Sequence, residues 1–320
     1  MGEIRKDYVL DRYVIFSPKR AKRPHLFDFE VGSKEKTPKE KCPFCPGNEH
    51  MTPISIKEIP KRKWKVRLIP NKFPALKEVS FTGEIGDKPF IHYNPYGYHE
   101  ILIETPEHNK KFYELSLNQI QLCIKVMMER YEELIKKKEI VYVSIFKNDG
   151  KRAGASISHT HSQIIASPMF PRVIAEEMEA AEKYYELEKR CPFCDIVDIE
   201  KRKNERIISE NKEFVVLSPY AAVWPYESWI LPKKHISQIS DMTDSQQKNM
   251  AKIIKGLLKK YNEIFKGLMY TVVYHSFPVS DLWHFHIEIY PRLKIYGGFE
   301  YFGLFINEIF PEYAAKKLKF

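Results

Sequence analysis

The chain has 320 residues, 43% of them hydrophobic, which is enough to bury a large core and is typical of about two domains. No apolar run approaches the roughly 18 residues of a membrane span, and the N-terminus lacks a signal-peptide core, so we expect a cytoplasmic protein with no membrane partner. The net charge of +10 comes from lysines and arginines interleaved with glutamates, which favours a small anionic substrate over a nucleic-acid partner.

The predicted elements form two similar series of strands and a long helix. In the first half, strands are predicted at residues 13–17, 101–104, 141–146 and 158–166, and a helix at residues 115–138. In the second half, strands are predicted at residues 214–217, 228–231, 269–275 and 284–290, and a helix at residues 244–265. A helical connector is predicted at residues 168–189, and residues 31–41 are predicted to be a mobile polar loop. We therefore expect an α+β fold with two halves, residues 1–168 and 169–320.

Three motifs occur in both halves in the same order, which indicates an internal duplication. Each half contains the sequence Cys-Pro-Phe-Cys, then a short apolar run followed by a histidine, and then a His-x-His pair. The distance from the middle histidine to the pair is 51 residues in the first half, from His108 to His159, and 49 in the second, from His235 to His284.

The repeated cysteines and histidines predict two zinc ions per chain. Zn²⁺ accepts thiolate and imidazole ligands together, and four such ligands make a closed, structural site. The predicted ligand sets are Cys42, Cys45, His108 and His159, and Cys191, Cys194, His235 and His284. A single Cys-x-x-Cys motif would equally suit a redox dithiol or a disulfide, but two copies with matched histidines favour metal. Cys123 lies in a helical apolar pattern and is expected to be a buried small hydrophobe.

The second histidine of each pair, His161 or His286, is left without a metal role. Residues i and i+2 of a strand project from one face about 6.6 Å apart, so one imidazole can bind metal while the other meets substrate. An isolated pair could instead supply two ligands of one metal. His161 is the preferred functional histidine because Gln163 follows it, whereas Glu288 stands at the matching position of the second half. For His286 three roles remain open: it is vestigial, it is part of an additional metal site, or it is a polar support near substrate. Surface or satisfied polar roles are expected for His25, His50, His92, His99 and His275.

A further set of motifs extends over nearly the whole chain. They are Ser17-Pro18-x-Arg20-Ala21-x-Arg23-Pro24, the run from Cys42 to Glu49, Asn71-Lys72-Phe73-Pro74-Ala75, Asn148-x-Gly150, Gly154-x-Ser156-x-x-His159-x-His161-x-Gln163 and Gly298-Phe299-Glu300. With these motifs the chain resembles the galactose-1-phosphate uridylyltransferase branch of the histidine-triad superfamily. The resemblance implies two histidine-triad-like halves, each an antiparallel sheet with a long helix. It also implies a homodimer and a catalytic histidine at His161.

The chemistry of imidazole agrees with that implied role. A nucleotidyl carrier must be uncharged at neutral pH, attack phosphorus and leave again, and imidazole meets all three requirements. A hydrogen bond from one ring nitrogen to a backbone carbonyl would aim the other nitrogen at the α-phosphorus. Gln163, Ser156 and Asn148 are expected to donate to the phosphoryl oxygens.

The resemblance also implies residues that bind a nucleotide sugar and a hexose 1-phosphate. Arg20 and Arg23 are expected to bind phosphates, Lys151 and Arg152 are either phosphate ligands or plain loop charges, and Phe73 and Phe299 are expected to wall a base or sugar pocket. The remaining candidates are Asn71, Gly150, Lys294, Gly298 and Glu300. The predicted reaction converts UDP-glucose and galactose 1-phosphate into glucose 1-phosphate and UDP-galactose through a nucleotidyl-histidine.

Two departures from the family pattern leave the substrate open. Thr160 replaces the usual proline between the paired histidines, and Ile306 stands where a glutamine is expected to bind the hexose phosphate. The segment that begins at Gly297 is closer to relatives that act on ADP-glucose and inorganic phosphate. An ADP-glucose phosphorylase is therefore the close alternative. A catalytically inactive nucleotide- or RNA-binding zinc protein and a nucleotide hydrolase are the alternatives of other classes.

Overall fold

The structure is a computed structural model that describes residues 2–22, 38–279 and 281–320. Arg23 and residues 31–37 of the predicted polar loop lie outside the described residues. The strands are β1 (Glu3–Lys6), β2 (Tyr13–Phe16), β3 (Lys57–Ile59), β4 (Val66–Pro70), β5 (Glu84–Ile85), β6 (His92–Tyr93), β7 (Tyr98–Ile103), β8 (Tyr142–Asp149), β9 (His161–Ser167), β10 (Ile207–Glu210), β11 (Phe214–Leu217), β12 (Ser228–Pro232), β13 (Tyr270–His275), β14 (His286–Pro291) and β15 (Leu304–Asn307). The α-helices are α1 (Leu117–Ile135), α2 (Arg172–Glu188), α3 (Pro192–Lys203), α4 (Asp244–Ile264) and α5 (Pro311–Leu318).

Ten of these strands form one antiparallel sheet in the order β10-β11-β12-β14-β13-β8-β9-β7-β4-β3. Each half contributes five strands, and the two sets meet edge to edge where β8 pairs with β13, for example at Asn148 and Thr271. Outward from this junction, β8, β9, β7, β4 and β3 correspond one by one to β13, β14, β12, β11 and β10. The predicted α+β fold with two duplicated halves is confirmed. The boundary between residues 168 and 169 stays a prediction.

The two long helices cover one face of this sheet and leave the other face for the site. Ser116 caps α1 by accepting a hydrogen bond from the Gln119 amide, as expected of a serine at a helix start. The apolar residues of α1 recur at helical spacing and pack, with those of α4, against inward residues such as Val143 and Ile164. Because side chains alternate along a strand, His161 and Gln163 of β9 project from the opposite face.

The strands and helices predicted from the sequence are present, and their ends shift by at most four residues. Both His-x-His strands begin at the second histidine, so His159 and His284 precede β9 and β14 instead of lying within them. The ring of each first histidine faces a cysteine pair. Sequence patterns did not predict the separate sheet β1-β2-β15, in which β2 and β15 pair in parallel and join the two ends of the chain.

Candidate active site

The four predicted metal ligands of the first half converge in one buried cluster. Cys45 Sγ lies 3.0 Å from His108 Nδ1 and 3.7 Å from His159 Nδ1, and Cys42 Sγ lies 3.6 Å from His159 Nδ1. The other nitrogen of His159, Nε2, donates to the Thr105 carbonyl at 2.8 Å, which leaves a lone pair on Nδ1 toward the sulfurs. Burial raises the pKa of Cys45 to about 12, with Cys42 adding to the shift, so a thiolate there needs a cation beside it.

The second cluster repeats this arrangement in the other half. Cys194 Sγ lies 3.4 Å from His235 Nδ1 and 3.5 Å from His284 Nδ1, and His284 Nε2 donates to the Pro232 carbonyl at 3.0 Å. In each cluster all four ligand atoms lie within 4.8 Å of one another. A tetrahedral zinc with usual bond lengths separates sulfur from nitrogen by about 3.6 Å. Both donor sets therefore fit a closed zinc site.

His161 has the geometry expected of a nucleophile. Its Nδ1 donates a hydrogen bond to the His159 carbonyl at 2.8 Å, so the lone pair is on Nε2. The Phe44 ring stands edge-on to the imidazole with centroids 5.2 Å apart. Burial lowers the pKa of His161, which keeps the imidazole uncharged at neutral pH. The first Cys/His cluster adjoins the candidate nucleophile through the His159 carbonyl, which accepts the hydrogen bond from His161.

Gln163 follows His161 on the same face and is held by a histidine that sequence patterns did not single out. The Ala75 amide donates to His99 Nδ1 at 3.1 Å, so His99 carries its proton on Nε2, 2.9 Å from Gln163 Oε1. Asn71 Nδ2 lies 3.0 Å from the same ring nitrogen as a neighbour and not as a hydrogen-bond partner, because both nitrogens then carry protons. The hydrogen bond from His99 to Oε1 leaves the NH₂ group of Gln163 available to a ligand. No sequence signal singled out His99, for which only a surface or satisfied polar role was expected.

The loop between β8 and β9 leads directly to His159 and His161. Gly150 has φ of +90°, a backbone conformation that favours glycine, and its carbonyl accepts hydrogen bonds from the amides of Ala153 and Ala155. Ser156 and Lys151 are exposed in this loop, and Asn148, the last residue but one of β8, lies on the same face as His161. Phe73 is 83% exposed. The predicted residues Asn71, Phe73, Asn148, Gly150, Lys151, Ser156 and Gln163 thus lie around His161 or in the segments beside it.

The other predicted substrate residues form a second group beside β15. Lys294 Nζ donates to the Ile306 carbonyl at 2.5 Å and lies 4.0 Å from Glu300, and Arg20 lies 3.9 Å from Glu308. Phe299 is half-exposed next to Gly298. Lys294 follows β14, which is three strand spacings from β9, or about 14 Å. Across the described ranges no hydrogen bond or ion pair joins Arg20 or Lys294 to His161.

His286 and Glu288 lie away from this group, in a third buried cluster. An additional metal site was one of the alternatives for His286, but the sequence did not indicate Glu177 and His275 as its other members. His286 and His161 each begin a strand, and because β14 and β9 run in opposite directions the two histidines lie toward opposite strand ends of the sheet. His275 Nδ1 lies 3.0 Å from Glu177, and its Nε2 lies 3.4 Å from Glu288. Although burial opposes it, the two carboxylates raise the pKa of His275 to about 10. His286 Nε2 has no hydrogen-bond partner in the described part of the chain. These four side chains offer a third set of ligand atoms within 4.8 Å of one another.

Among the described residues, no helix is both long enough and apolar enough to span a membrane. The expected cytoplasmic location stays a prediction.

Comparison with known proteins places this architecture in one family. The profile of the galactose-1-phosphate uridyl transferase N-terminal domain matches residues 2–171, and that of the C-terminal domain matches residues 177–319. An ADP-glucose phosphorylase from Arabidopsis thaliana is 32% identical over 99% of this chain and 92% of its own length. A galactose-1-phosphate uridylyltransferase from Thermotoga maritima is 30% identical over 100% and 98%.

Solved structures agree with these sequence relatives. The Arabidopsis thaliana ADP-glucose phosphorylase with bound ADP-glucose superposes with a TM-score of 0.85 at 30% identity, covering 100% of this chain and 98% of the other. A uridylyltransferase structure gives 0.77 at 27% identity, covering 99% and 97%. The predictions of family and of enzyme class are confirmed: the chain belongs to the galactose-1-phosphate uridyl transferase family of nucleotidyltransferases.

Proposed function

We propose that the protein transfers a nucleoside monophosphate between two hexose or phosphate acceptors by double displacement through His161. In the first step the Nε2 lone pair of His161 forms a bond to the α-phosphorus of a nucleotide sugar. The bond from that phosphorus to the bridging oxygen breaks, and a hexose 1-phosphate leaves with the electron pair. In the second step a phosphate oxygen of the acceptor attacks the same phosphorus, and the imidazole leaves uncharged.

The observation that carries this proposal is the hydrogen bond from His161 Nδ1 to the His159 carbonyl at 2.8 Å. It fixes the tautomer, so Nε2 needs no base to remove a proton before it attacks. Gln163, two residues further along the same face, offers its NH₂ group to the negative charge that grows on the phosphoryl oxygens. We assign Ser156 and Asn148 to the same oxygens. Lys151 is assigned to the phosphates.

The two Cys/His clusters are proposed to bind structural zinc. The first would be held by Cys42, Cys45, His108 and His159, and the second by Cys191, Cys194, His235 and His284. Zinc in such a closed site supplies folding energy and no open position for substrate. In the first half it would tie the Cys-Pro-Phe-Cys turn, the segment after β7 and His159, two residues before β9, together beside His161.

We also propose a homodimer. Four large apolar side chains around the Arg20 and Lys294 group are exposed, and contiguous patches of this kind mark protein interfaces. They are Ile295, Phe299, Tyr301 and Phe302, with exposures of 76%, 40%, 84% and 84%. Sedimentation equilibrium tests this assignment directly. A single species with the mass of one chain at micromolar concentration would contradict it.

The donor is proposed to be UDP-glucose and the acceptor galactose 1-phosphate, in line with the similarity to a galactose-1-phosphate uridylyltransferase from Thermotoga maritima. Adenylyl transfer from ADP-glucose to inorganic phosphate is the second candidate. Two observations favour it: the Arabidopsis thaliana ADP-glucose phosphorylase is at least as similar over the full chain, and Ile306 offers no side-chain amide to a hexose phosphate.

Isotope exchange tests the mechanism and the substrates together. Labelled glucose 1-phosphate is incubated with UDP-glucose or ADP-glucose without a second acceptor. Double displacement predicts that label enters the nucleotide sugar, and the donor that exchanges faster identifies the base. Adding galactose 1-phosphate or inorganic phosphate in separate reactions then identifies the acceptor. Absence of exchange with a donor that is turned over when an acceptor is present would contradict a nucleotidyl-enzyme.

A further inference from the structure

A buried polar network lies directly behind His161, on the face of the sheet that packs against the helices. Lys147 Nζ donates to Glu104 Oε2 at 2.6 Å and to Thr160 Oγ1 at 2.7 Å. Thr160 Oγ1 donates to Glu104 Oε2 at 2.6 Å, and Ser162 Oγ donates to Glu104 Oε1 at 2.6 Å. All four residues are at most 4% exposed. The ammonium and the carboxylate are therefore paired with each other and with buried protein groups.

The third hydrogen bond of this ammonium goes to the backbone of His161. Lys147 Nζ donates to the His161 carbonyl at 3.0 Å. The ladder between β8 and β9 ends at the pair Phe146 and Gln163, so His161 is paired with a neighbouring strand only on its other side, at Ile103. The Lys147 side chain thus restrains the His161 peptide at the point where strand pairing with β8 has ended.

The duplicated half of the same chain lacks this network. Strand register aligns Gln163 with Glu288, since Phe146 pairs with the first and Val273 with the second. Lys147 then corresponds to Tyr274. Glu104, which follows Ile103, corresponds to Pro232, which follows Leu231. The residues that fill the four positions in the second half are Pro232, Tyr274, Phe285 and Ile287, all of them buried.

The fold itself therefore does not require the buried charges. Taking an ammonium and a carboxylate out of water is costly, and apolar residues of similar volume are often as stabilising or more so. The second half shows that the same sheet and helix accept an apolar core at these positions. In the described part of the chain, the network occurs behind His161 and not behind His286.

We propose that Lys147, Glu104 and Thr160 are positioning residues that hold His161 in the orientation for attack on phosphorus. This inference rests on the proposed function of His161. The His161 imidazole donates a hydrogen bond to the carbonyl of His159, the residue before Thr160. Lys147 donates a hydrogen bond to the carbonyl of His161, the residue after Thr160. The network therefore restrains Thr160, which lies between the two histidines, and the carbonyl of His161. A misplacement of a reacting atom by about 1 Å can slow a reaction by about 100-fold.

The test measures the rate of nucleotidyl-enzyme formation in a single turnover at saturating UDP-glucose or ADP-glucose. The double variant Glu104→Leu with Lys147→Met replaces the ion pair by apolar residues, as in the second half. We expect it to bind donor with unchanged affinity and to retain its zinc, but to form the adduct roughly 100-fold more slowly. Thr160→Val should slow the step roughly 10-fold, and Thr160→Ser should restore the wild-type rate. Ser228→Ala, which removes a buried hydroxyl bonded to Tyr261 in the second half, is the matched control and should leave the rate unchanged.

Three results would overturn the inference. One is a wild-type adduct rate in the folded double variant. Another is a rate that falls only in proportion to lost zinc, since the network would then support the metal cluster. The third is an equal loss in Thr160→Val and Thr160→Ser, which also decides the matter if the double variant does not fold.

If wild-type protein forms no adduct, the proposed function has failed. The positioning role of the network is then tested on the tautomer of the His161 imidazole itself. Nitrogen NMR should then show the ordered Nδ1–H tautomer of His161 in wild-type protein and its loss in Thr160→Val. An unchanged signal would refute the positioning role.

Discussion

Replacing His99 by phenylalanine should slow nucleotidyl transfer to His161 while leaving the fold intact. The Ala75 amide donates to His99 Nδ1, so the proton on Nε2 faces Gln163 Oε1 at 2.9 Å. Phenylalanine also has a flat aromatic ring, but it lacks the Nε2–H donor of His99. Gln163 then loses the contact that distinguishes its oxygen from its NH₂ group, and part of the population presents the oxygen to the phosphoryl charge.

The size of the effect follows from the value of one hydrogen bond. A net contribution of about 0.5–1.5 kcal/mol corresponds to a rate loss between about 2-fold and about 13-fold. Removing the donor itself, in Gln163→Ala, should cost about 100-fold to 1000-fold. Intact-mass measurement of adduct formation in a single turnover resolves both ranges. His92→Phe, which changes an exposed histidine on β6, is the matched control and should have no effect.

Two outcomes would refute this reasoning. If His99→Phe reacts at the wild-type rate, the histidine does not orient Gln163. If it reacts as slowly as Gln163→Ala, His99 acts on the substrate directly.

Three further changes test the metal account and the packing of the sheet. Cys45→Ser should remove one zinc per chain in elemental analysis and lower the midpoint of thermal unfolding, because a hydroxyl is a poor zinc ligand; two retained zincs would contradict this. Arg130→Met leaves the buried Glu100 carboxylate without its bidentate partner and should lower the free energy of unfolding in urea by about 3–5 kcal/mol. Adding Glu100→Leu should recover most of that loss, and a double variant as unstable as the single one would show that the pair is not the cause. Ile164→Ala, in the core behind the site, should cost about 2–5 kcal/mol in the same assay, and a loss below about 1 kcal/mol would mean that its surroundings collapse to fill the space.

The sequence was most informative where chemistry depends on short spacings. Two cysteines separated by two residues must lie close together, and the matched histidines of the duplicated halves completed both predicted ligand sets. The structure brings all eight of these side chains together as two clusters. Helical periodicity likewise predicted α1 and α4 to within three residues at each end.

Contacts between distant segments were beyond such reasoning. The edge-to-edge pairing of β8 with β13 and the parallel pairing of β2 with β15 depend on register across more than a hundred residues, which no local pattern encodes. The third cluster combines Glu177 of α2 with His275 of β13 for the same reason. Lys147 reads in sequence as one more lysine among many, and only the position of Glu104 on a neighbouring strand shows it to be buried and paired.

The central claim is that His161 carries the nucleotide, and intact mass spectrometry with peptide mapping tests it most directly. The protein is incubated with UDP-glucose or ADP-glucose in the absence of an acceptor, with His161→Ala in parallel. We predict a nucleoside monophosphate adduct on the peptide that contains His161, lost when acceptor is added and absent from the variant. Binding of both donors without an adduct, or an adduct that persists in His161→Ala, would contradict the account.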